Sequence, residues 1–268
     1  MRLPQTLVST LAALISLGGL ILASIPARAA DDTLAKIKAS GELIIGNGAA
    51  FPPFEYVENG ELVGYDIDLG EELARRLGVK ATWVKSAFGG LIPGLTSKRT
   101  DMLLTAMAYT AERAASMAFS EPYFMTGVAA AYKPGVKLDK PDDLAGKNVG
   151  VQSGTSGEQF VRTGYGDKVA SLKTYDEFLL ALRDLEIGRL DVVVNTGPTI
   201  AFNVKQRGVK LNVTDNFDSR IIGMNTRTED VAFMAEINKH IRDMKSDGFF
   251  AKIDQKWFGR AMEHDPRK

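Results

Sequence analysis

Short apolar runs alternate with helical spacing along most of the chain. "ELIIG" at 42–46 reads as a buried strand, and "FEYVENGELVGY" places Asn59-Gly60 between two extended runs, a strong hairpin signal. Ile67, Leu69, Leu73 and Leu77 then fall on one helical face, and Gly78 supplies the stop. "ATWVK" predicts a strand, "GLIPGLTS" a short helix and "DMLLTA" another buried strand. Strand and helix in turn predict an α/β fold rather than a sandwich or a bundle.

The pattern then starts again. "VAAAYK" reads as a strand, "KPDDLAGK" as a turn with a short helix, and "NVGVQ" as a strand entering the glycine-rich "SGTSGE". A helix, the segment "SLKTY", the helix "DEFLLALRDLEIG" and the buried strand "RLDVVVN" follow. The stretch "EDVAFMAEINKHIRDMKSDGFFAKIDQKWFG" predicts two helices around Asp247-Gly248. No Pro- or Ser-rich linker separates the halves. Two α/β units joined without one suggest lobes that share a cleft.

The first thirty residues break this pattern. Arg2 is the only charge before Arg28, and "LVSTLAALISLGGLILASI" lies between them, followed by Ala27-Arg28-Ala29. A basic start, an apolar run and small residues two apart predict a secretory signal at 1–29, cleaved after Ala29. An uncleaved anchor is the competing reading, but Ser, Thr and Gly dilute the run. The 268 residues hold no cysteine, which removes disulfides, thiol nucleophiles, thiolate metal sites and a lipoprotein attachment point. Lys plus Arg and Asp plus Glu each total 33, and losing Arg2 and Arg28 leaves 31 basic residues. Near-neutrality gives no reason to expect a nucleic-acid partner.

Nine segments, in order, resemble the polar-amino-acid branch of the periplasmic solute-binding proteins that serve ABC importers. They are "PPFEY", "GYDIDLGEELARRLG", "FGGLIPGL", "DMLLTAM", "TAER", "FSEPYF", "DDLAGKNVGVQSGTSGE", "GRLDVVVN" and "DGFFAKIDQKWFG". Each alone is weak; nine at matching spacing, over nearly all of the chain after the signal, are specific. The resemblance implies the type II periplasmic-binding-protein fold, two α/β lobes joined by a two-strand hinge. One lobe would hold 31–124 plus 222–268 and the other 128–213, with the hinge at 125–127 and 214–221. Hinged lobes can close over a ligand.

The resemblance also assigns a site. By composition alone Arg113 reads as a surface arginine on a short helix capped by Thr110. In the family the matching arginine clamps the ligand's α-carboxylate, a task that suits the planar guanidinium fork. "SGTSGE" lies between a strand and a helix, where free N–H groups bind anions. The resemblance gives Thr155 and Ser156 the far side of the same carboxylate. Phe51 and Phe88 would be ordinary core residues by composition, but the matching aromatics sandwich the ligand. Thr105, Ala106, Met107 and Ala108 end a strand, where open α/β sheets bind ligands. Gln152 matches a contact to the ligand's variable part, and Asn195 ends the late strand.

Three positions depart from the α-amino-acid binders of the family. Where those carry an acid, a hydroxyl and an acid around the ammonium, this chain has Gly48, Ala108 and Asn195. A buried ammonium without a counter-charge is costly. Opines, N-substituted amino acids and organic acids are therefore candidate ligands, and an ordinary polar amino acid stays open if Glu55 or Glu158 turns inward. His240 and His264 are expected on the surface, Trp83 and Trp257 in the core, and Asp66 and Asp68 as helix-start acids. No metal and no cofactor are expected.

The expected function is extracytoplasmic, periplasmic capture of a carboxylate-bearing small molecule by a monomer that delivers it to an ABC permease. The alternative is a cyclohexadienyl-dehydratase-like enzyme on the same fold. It would need a general acid in the cleft, and the late strand runs on as Asn195-Thr196-Gly197-Pro198 without one.

Overall fold

The computed structural model describes residues 33–264, so the expected signal segment lies outside the described residues. Helix α1 (Thr33–Ser40) leads into strand β1 (Glu42–Asn47). A three-stranded meander follows: β2 (Ala50–Phe51), β3 (Glu55–Glu58) and β4 (Glu61–Val63), with the Asn59-Gly60 turn between the last two as expected. Then come α2 (Tyr65–Leu77), β5 (Lys80–Lys85), α3 (Phe88–Thr96), β6 (Met102–Leu103), α4 (Ala111–Ala114) and β7 (Ala118–Phe119). Strand β8 (Phe124–Thr126) leads out of this lobe.

The second lobe holds β9 (Val128–Tyr132), β10 (Asn148–Gln152), α5 (Ser156–Tyr165), β11 (Ser171–Tyr175), α6 (Phe178–Glu186), β12 (Val192–Thr196), α7 (Gly197–Arg207) and β13 (Asn212–Val213). Strand β14 (Arg220–Ile222) returns the chain to β15 (Asn225–Thr226), α8 (Val231–Ser246) and α9 (Phe249–Phe258).

Each lobe is built on a five-stranded sheet, in the orders β5-β1-β6-β15-β7 and β11-β10-β12-β9-β13. In both, the first three strands are parallel, and the strand from the far end of the lobe enters antiparallel. Helices cover both faces, so the strands read as continuous apolar runs rather than alternating ones. In β12, Val193 packs on one helical layer, while Val192 and Val194 pack on the other. The small residues of β9 follow the same rule: Ala129 and Ala131 face one layer, Val128 and Ala130 the other.

Between the sheets runs a pair of crossing strands, β8 against β14, with Met125 opposite Ile221. Beyond it the backbone is tight: a side chain at Gly127 would run into the carbonyl of Asp218 and the side chain of Asn216. Asp218 braces the crossing, taking the Val128 N–H at 2.8 Å and the Arg220 guanidinium at 2.7 Å. The chain's C-terminal segment joins in, because the Met125 N–H donates to the Glu263 carbonyl at 2.8 Å.

Some expectations need correction. His240 is buried against α8's neighbours rather than on the surface, and burial holds its imidazole below the usual range. His264 is half-buried, its ring between the Tyr123 carbonyl (2.6 Å) and Asp254 (2.9 Å). Trp83 and Trp257 are only partly buried; they pack on the core with their N–H groups on Glu71 and Asp68, as an amphipathic ring prefers.

Gly64 joins the meander to α2 at φ +143°, and a Cβ there would fall on the Phe54 carbonyl and within 2.8 Å of the Glu55 nitrogen. That close approach lets Tyr65 and Asp66 donate backbone N–H groups to Pro53 and Phe54. Gly64→Ala should therefore destabilise the protein by about 2–3 kcal/mol, through overpacking and a left-handed backbone that alanine resists. Urea denaturation of the two proteins measures this; an unchanged midpoint would show that the meander can shift at no cost.

Candidate functional site

The carboxyl ends of the parallel strands of both sheets face a common cleft. Leu104–Ala108, which continues β6, enters it through a strained turn, with non-glycine Ala106 at φ +47°. Such a backbone persists only where its surroundings fix it, and here the Ala106 N–H donates to the buried Asp66 carboxyl at 2.6 Å.

Arg113 follows on α4. Thr110 caps that helix, accepting from the Arg113 N–H, as the sequence indicates. The guanidinium spans the cleft, donating to the Ala108 carbonyl at 2.7 Å on the first lobe and the Gly154 carbonyl at 2.8 Å on the second. It also lies over the Phe88 ring, 5.4 Å from the centroid. Burial, with Arg220 nearby, pulls its pKa down to about 10. This cation is held by carbonyls and an aromatic face and is partly stripped of water.

Across the cleft, Thr155 is the N-cap of α5. Its hydroxyl accepts from the Glu158 N–H at 3.3 Å and donates to the Gln152 carbonyl at 2.7 Å. Ser156, buried, is the first residue of the helix. Glu158 turns back on its own loop, accepting from the Gly154 N–H at 2.6 Å and bonding Arg162, so it is not the inward acid.

Beside Phe88 opens a cavity of about 440 Å³ between the lobes. Gly48, Phe51, Glu55, Lys85 and Phe88 line it from the first lobe, and Gln152, Asp176 and Glu177 from the second. Gln152 is buried; its amide N–H reaches the Asp176 carbonyl at 3.2 Å, while its Oε1 has no donor. A second hollow, about 480 Å³, lies along Arg113, Gly154 and Thr155. Of the expected residues, Phe51, Phe88 and Gln152 line the cavity, and Arg113 and Thr155 the hollow. Thr105, Ala106, Ala108, Ser156 and Asn195 line neither. Asn195 is fully buried; its Oδ1 accepts the Thr196 N–H at 2.8 Å, which leaves its Nδ2 without an acceptor.

The inward acid is Glu55. It is 1% exposed, and its Oε1 lies 3.4 Å from where a Cβ on Gly48 would stand. A carboxyl from β3 thus lies beside the backbone of Gly48. Glu55 accepts from the Thr105 hydroxyl at 2.6 Å and lies within hydrogen-bonding reach of Asp66, to which the Tyr123 hydroxyl donates at 3.0 Å. Asp66 is more than a helix-start acid. Burial drives both carboxyls up, Glu55 well above its usual range and Asp66 to about 7. Asp176, Glu177 and Lys85 went unnoticed in the sequence, although Asp176 and Glu177 follow β11 and Lys85 ends β5. Both sites are carboxyl ends of parallel strands, where ligands gather.

Two α/β lobes facing each other across a cleft, with two crossing strands, define a type II periplasmic binding protein. The model for bacterial extracellular solute-binding proteins, family 3, matches residues 43–260, and the chain belongs to that family. These are the ABC-importer binding proteins that the sequence resembles. The L-cystine-binding protein TcyJ of Escherichia coli K12 is 30% identical over 240 residues, 88% of this chain and 90% of that one. The solved structure of an ancestral arginine-binding protein bound to arginine is 38% identical at a TM-score of 0.79, covering 81% of this chain and 98% of its own. An ancestral amino acid-binding protein described as a precursor of cyclohexadienyl dehydratase is 31% identical at a TM-score of 0.79, covering 84% and 99%.

Two outcomes follow. Thr155→Ala should cost about 1–2 kcal/mol of stability, because a cap and a buried hydroxyl bond go together; chemical denaturation reads it. The acid pair also makes stability depend on pH. Its folded pKa values lie above the unfolded ones, so its contribution is complete below the ordinary carboxylate range and is lost as pH rises through about 7. The ligand-free protein should melt at a lower temperature at pH 8 than at pH 5.5, and Glu55→Gln should flatten that difference.

Proposed function

We propose that this protein captures an amino acid, or a close derivative, that carries a carboxylate and a positively charged distal nitrogen, and delivers it to an ABC permease. The observation that carries the reading is Arg113: a partly desolvated guanidinium between the lobes whose hydrogen bonds go to two carbonyls. A ligand carboxylate offers it a stronger, charge-matched partner. The free N–H groups at the start of α5 approach the same point from the second lobe. On this reading Phe51 and Phe88 flank the ligand's stem, and Glu55, Gln152, Asp176 and Glu177 offer its far end acceptors and negative charge, against one cation, Lys85.

The lobes, divided at the β8–β14 crossing, close on the ligand because it touches both. A ligand shifts such an equilibrium only through contacts it makes in one state. The names of the relatives support the class, since arginine and cystine each carry a second ionised nitrogen. The segment before Ala29 directs export, so the mature protein starts at Ala30 or Asp31.

One observation favours a second ligand class. Asn195, buried beneath the cleft at the end of β12, has an amide N–H without an acceptor rather than a carboxylate. A position where the family's α-amino-acid binders carry an acid thus holds no negative charge, which favours an opine or another ligand without a primary ammonium there. An enzyme reading would turn on a cleft acid, and the residues after β12 offer none; Glu55 is the buried carboxyl lining the cavity. Turnover of cyclohexadienyl substrates by the purified protein tests it.

A thermal-shift panel of arginine, lysine, cystine, opines and dicarboxylates separates the classes, because a bound ligand raises apparent stability by mass action. Arg113→Ala should weaken the best ligand by about 2–5 kcal/mol with the fold intact, as expected when a buried charge loses its partner. Calorimetric titration with native circular dichroism measures this; unchanged affinity would remove Arg113 from the site.

A further inference from the structure

We propose that Glu55 and Asp66 hold one proton between them beneath the cleft, and that a ligand cation arriving over Glu55 expels it to solvent. This rests on the cationic-ligand reading above and concerns how that same site works.

The donors around the pair are one short. Four carboxyl oxygens are buried, and three groups donate to them: the Thr105 hydroxyl to Glu55 Oε1 at 2.6 Å, the Ala106 N–H to Asp66 Oδ2 at 2.6 Å, and the Tyr123 hydroxyl to Asp66 at 3.0 Å. Glu55 Oε2 receives nothing. Buried polar atoms are rarely left so, and two carboxylates in contact cannot both ionise cheaply. A shared proton supplies the fourth donor and removes the repulsion.

The surroundings offer no other relief. Asp66 sits on α2 and Tyr123 precedes β8; the Tyr65 hydroxyl of α2 turns away to Asp254 of α9 at 3.1 Å, whose other oxygen takes His264. Lys85, at the end of β5, lines the cavity but is exposed, and Asp176 and Glu177 approach from the second lobe with more negative charge.

The pair is also reachable. Gly48 has no side chain to cover Glu55, whose Oε1 lies 3.4 Å from the missing Cβ, and Glu55 lines the cavity. A guanidinium or ammonium placed there brings donors and one positive charge. The balance is simple. The free pair has one proton and charge −1. The liganded pair has none and charge −2, offset by the ligand's +1, and the proton leaves for bulk water. The buried charge is the same before and after, so a cation replaces a proton without adding uncompensated charge.

Binding should therefore release protons when the ligand's distal group is charged and not when it is neutral. L-arginine and its neutral isostere L-citrulline are titrated calorimetrically at pH 6.5 in two buffers of different ionisation enthalpy. We expect up to one proton released per arginine, none per citrulline, and none for arginine on Glu55→Gln. Arginine affinity should rise up to about tenfold per pH unit between pH 5 and 7, with citrulline flat. Carboxyl carbon NMR of the ligand-free protein reads the pair directly, without a variant or a ligand. Complete ionisation of both carboxyls at pH 6 would overturn the proposal. Arginine binding with the same proton count as citrulline would overturn the displacement while leaving the cationic-ligand reading intact. Failure of arginine to bind a pair that holds its proton would overturn that reading, and the displacement with it.

Discussion

The relation between the two lobes rests on three-residue strands. β8 and β14 pair across the gap between two complete sheets, each with its own core on both faces. The pairing is kept narrow by Gly127, where any side chain would strike the return strand's approach, and it is braced by Asp218, which takes one backbone N–H and one guanidinium. That guanidinium belongs to Arg220, whose charge also bears on Arg113. Joint and clamp are thus electrically linked: the crossing neutralises its own cation with Asp218, while Arg113 is left facing carbonyls. A carboxylate between the lobes would settle the imbalance, and it can do so only when the crossing has brought α4 and α5 together.

The cleft is polarised along its length. At one end a cation is held by carbonyls beside the start of α5; at the other lie carboxyls and amide acceptors. The two ends are separated by Phe88, which touches the Arg113 guanidinium on one side and lines the cavity on the other. An aromatic wall between opposite charges keeps each from quenching the other across the cavity.

Much of the fold was legible because both sheets are covered on two faces. Full burial produces the uninterrupted runs at β1, β9 and β12, and helix stops and the Asn59-Gly60 turn punctuate them. At the Arg113 end, local chemistry gave the Thr110 cap and the small-residue loop before α5, while the carboxylate role came from the family resemblance alone, because a lone arginine on a short helix reads as a surface residue. The acid end was not legible, because it is assembled from distant places. Gly48 shows an absence at one position, while the carboxyl beside it arrives from the second strand of a meander. Asp66 carries the ordinary signature of a helix-start acid, and nothing local reveals that Tyr123, 57 residues away, will donate to it. His240 and His264 escape the sequence for the same reason: charged neighbours in sequence do not report which face of a helix, or which tail, folds under.

The order of the strands sets a schedule on the growing chain. The second lobe's sheet is contiguous in sequence and has all its strands by Val213. The first lobe's sheet does not: β15 lies between β6 and β7, and α8 and α9 supply much of the core beneath it, including Phe233, Ile237, Ile241, Met244, Phe250 and Ile253. Though begun first, the N-terminal lobe must wait for the last sixth of the chain, with an open sheet and an uncovered apolar face until then. The later lobe can close ahead of it, so the nascent protein matures in the reverse of its order of synthesis.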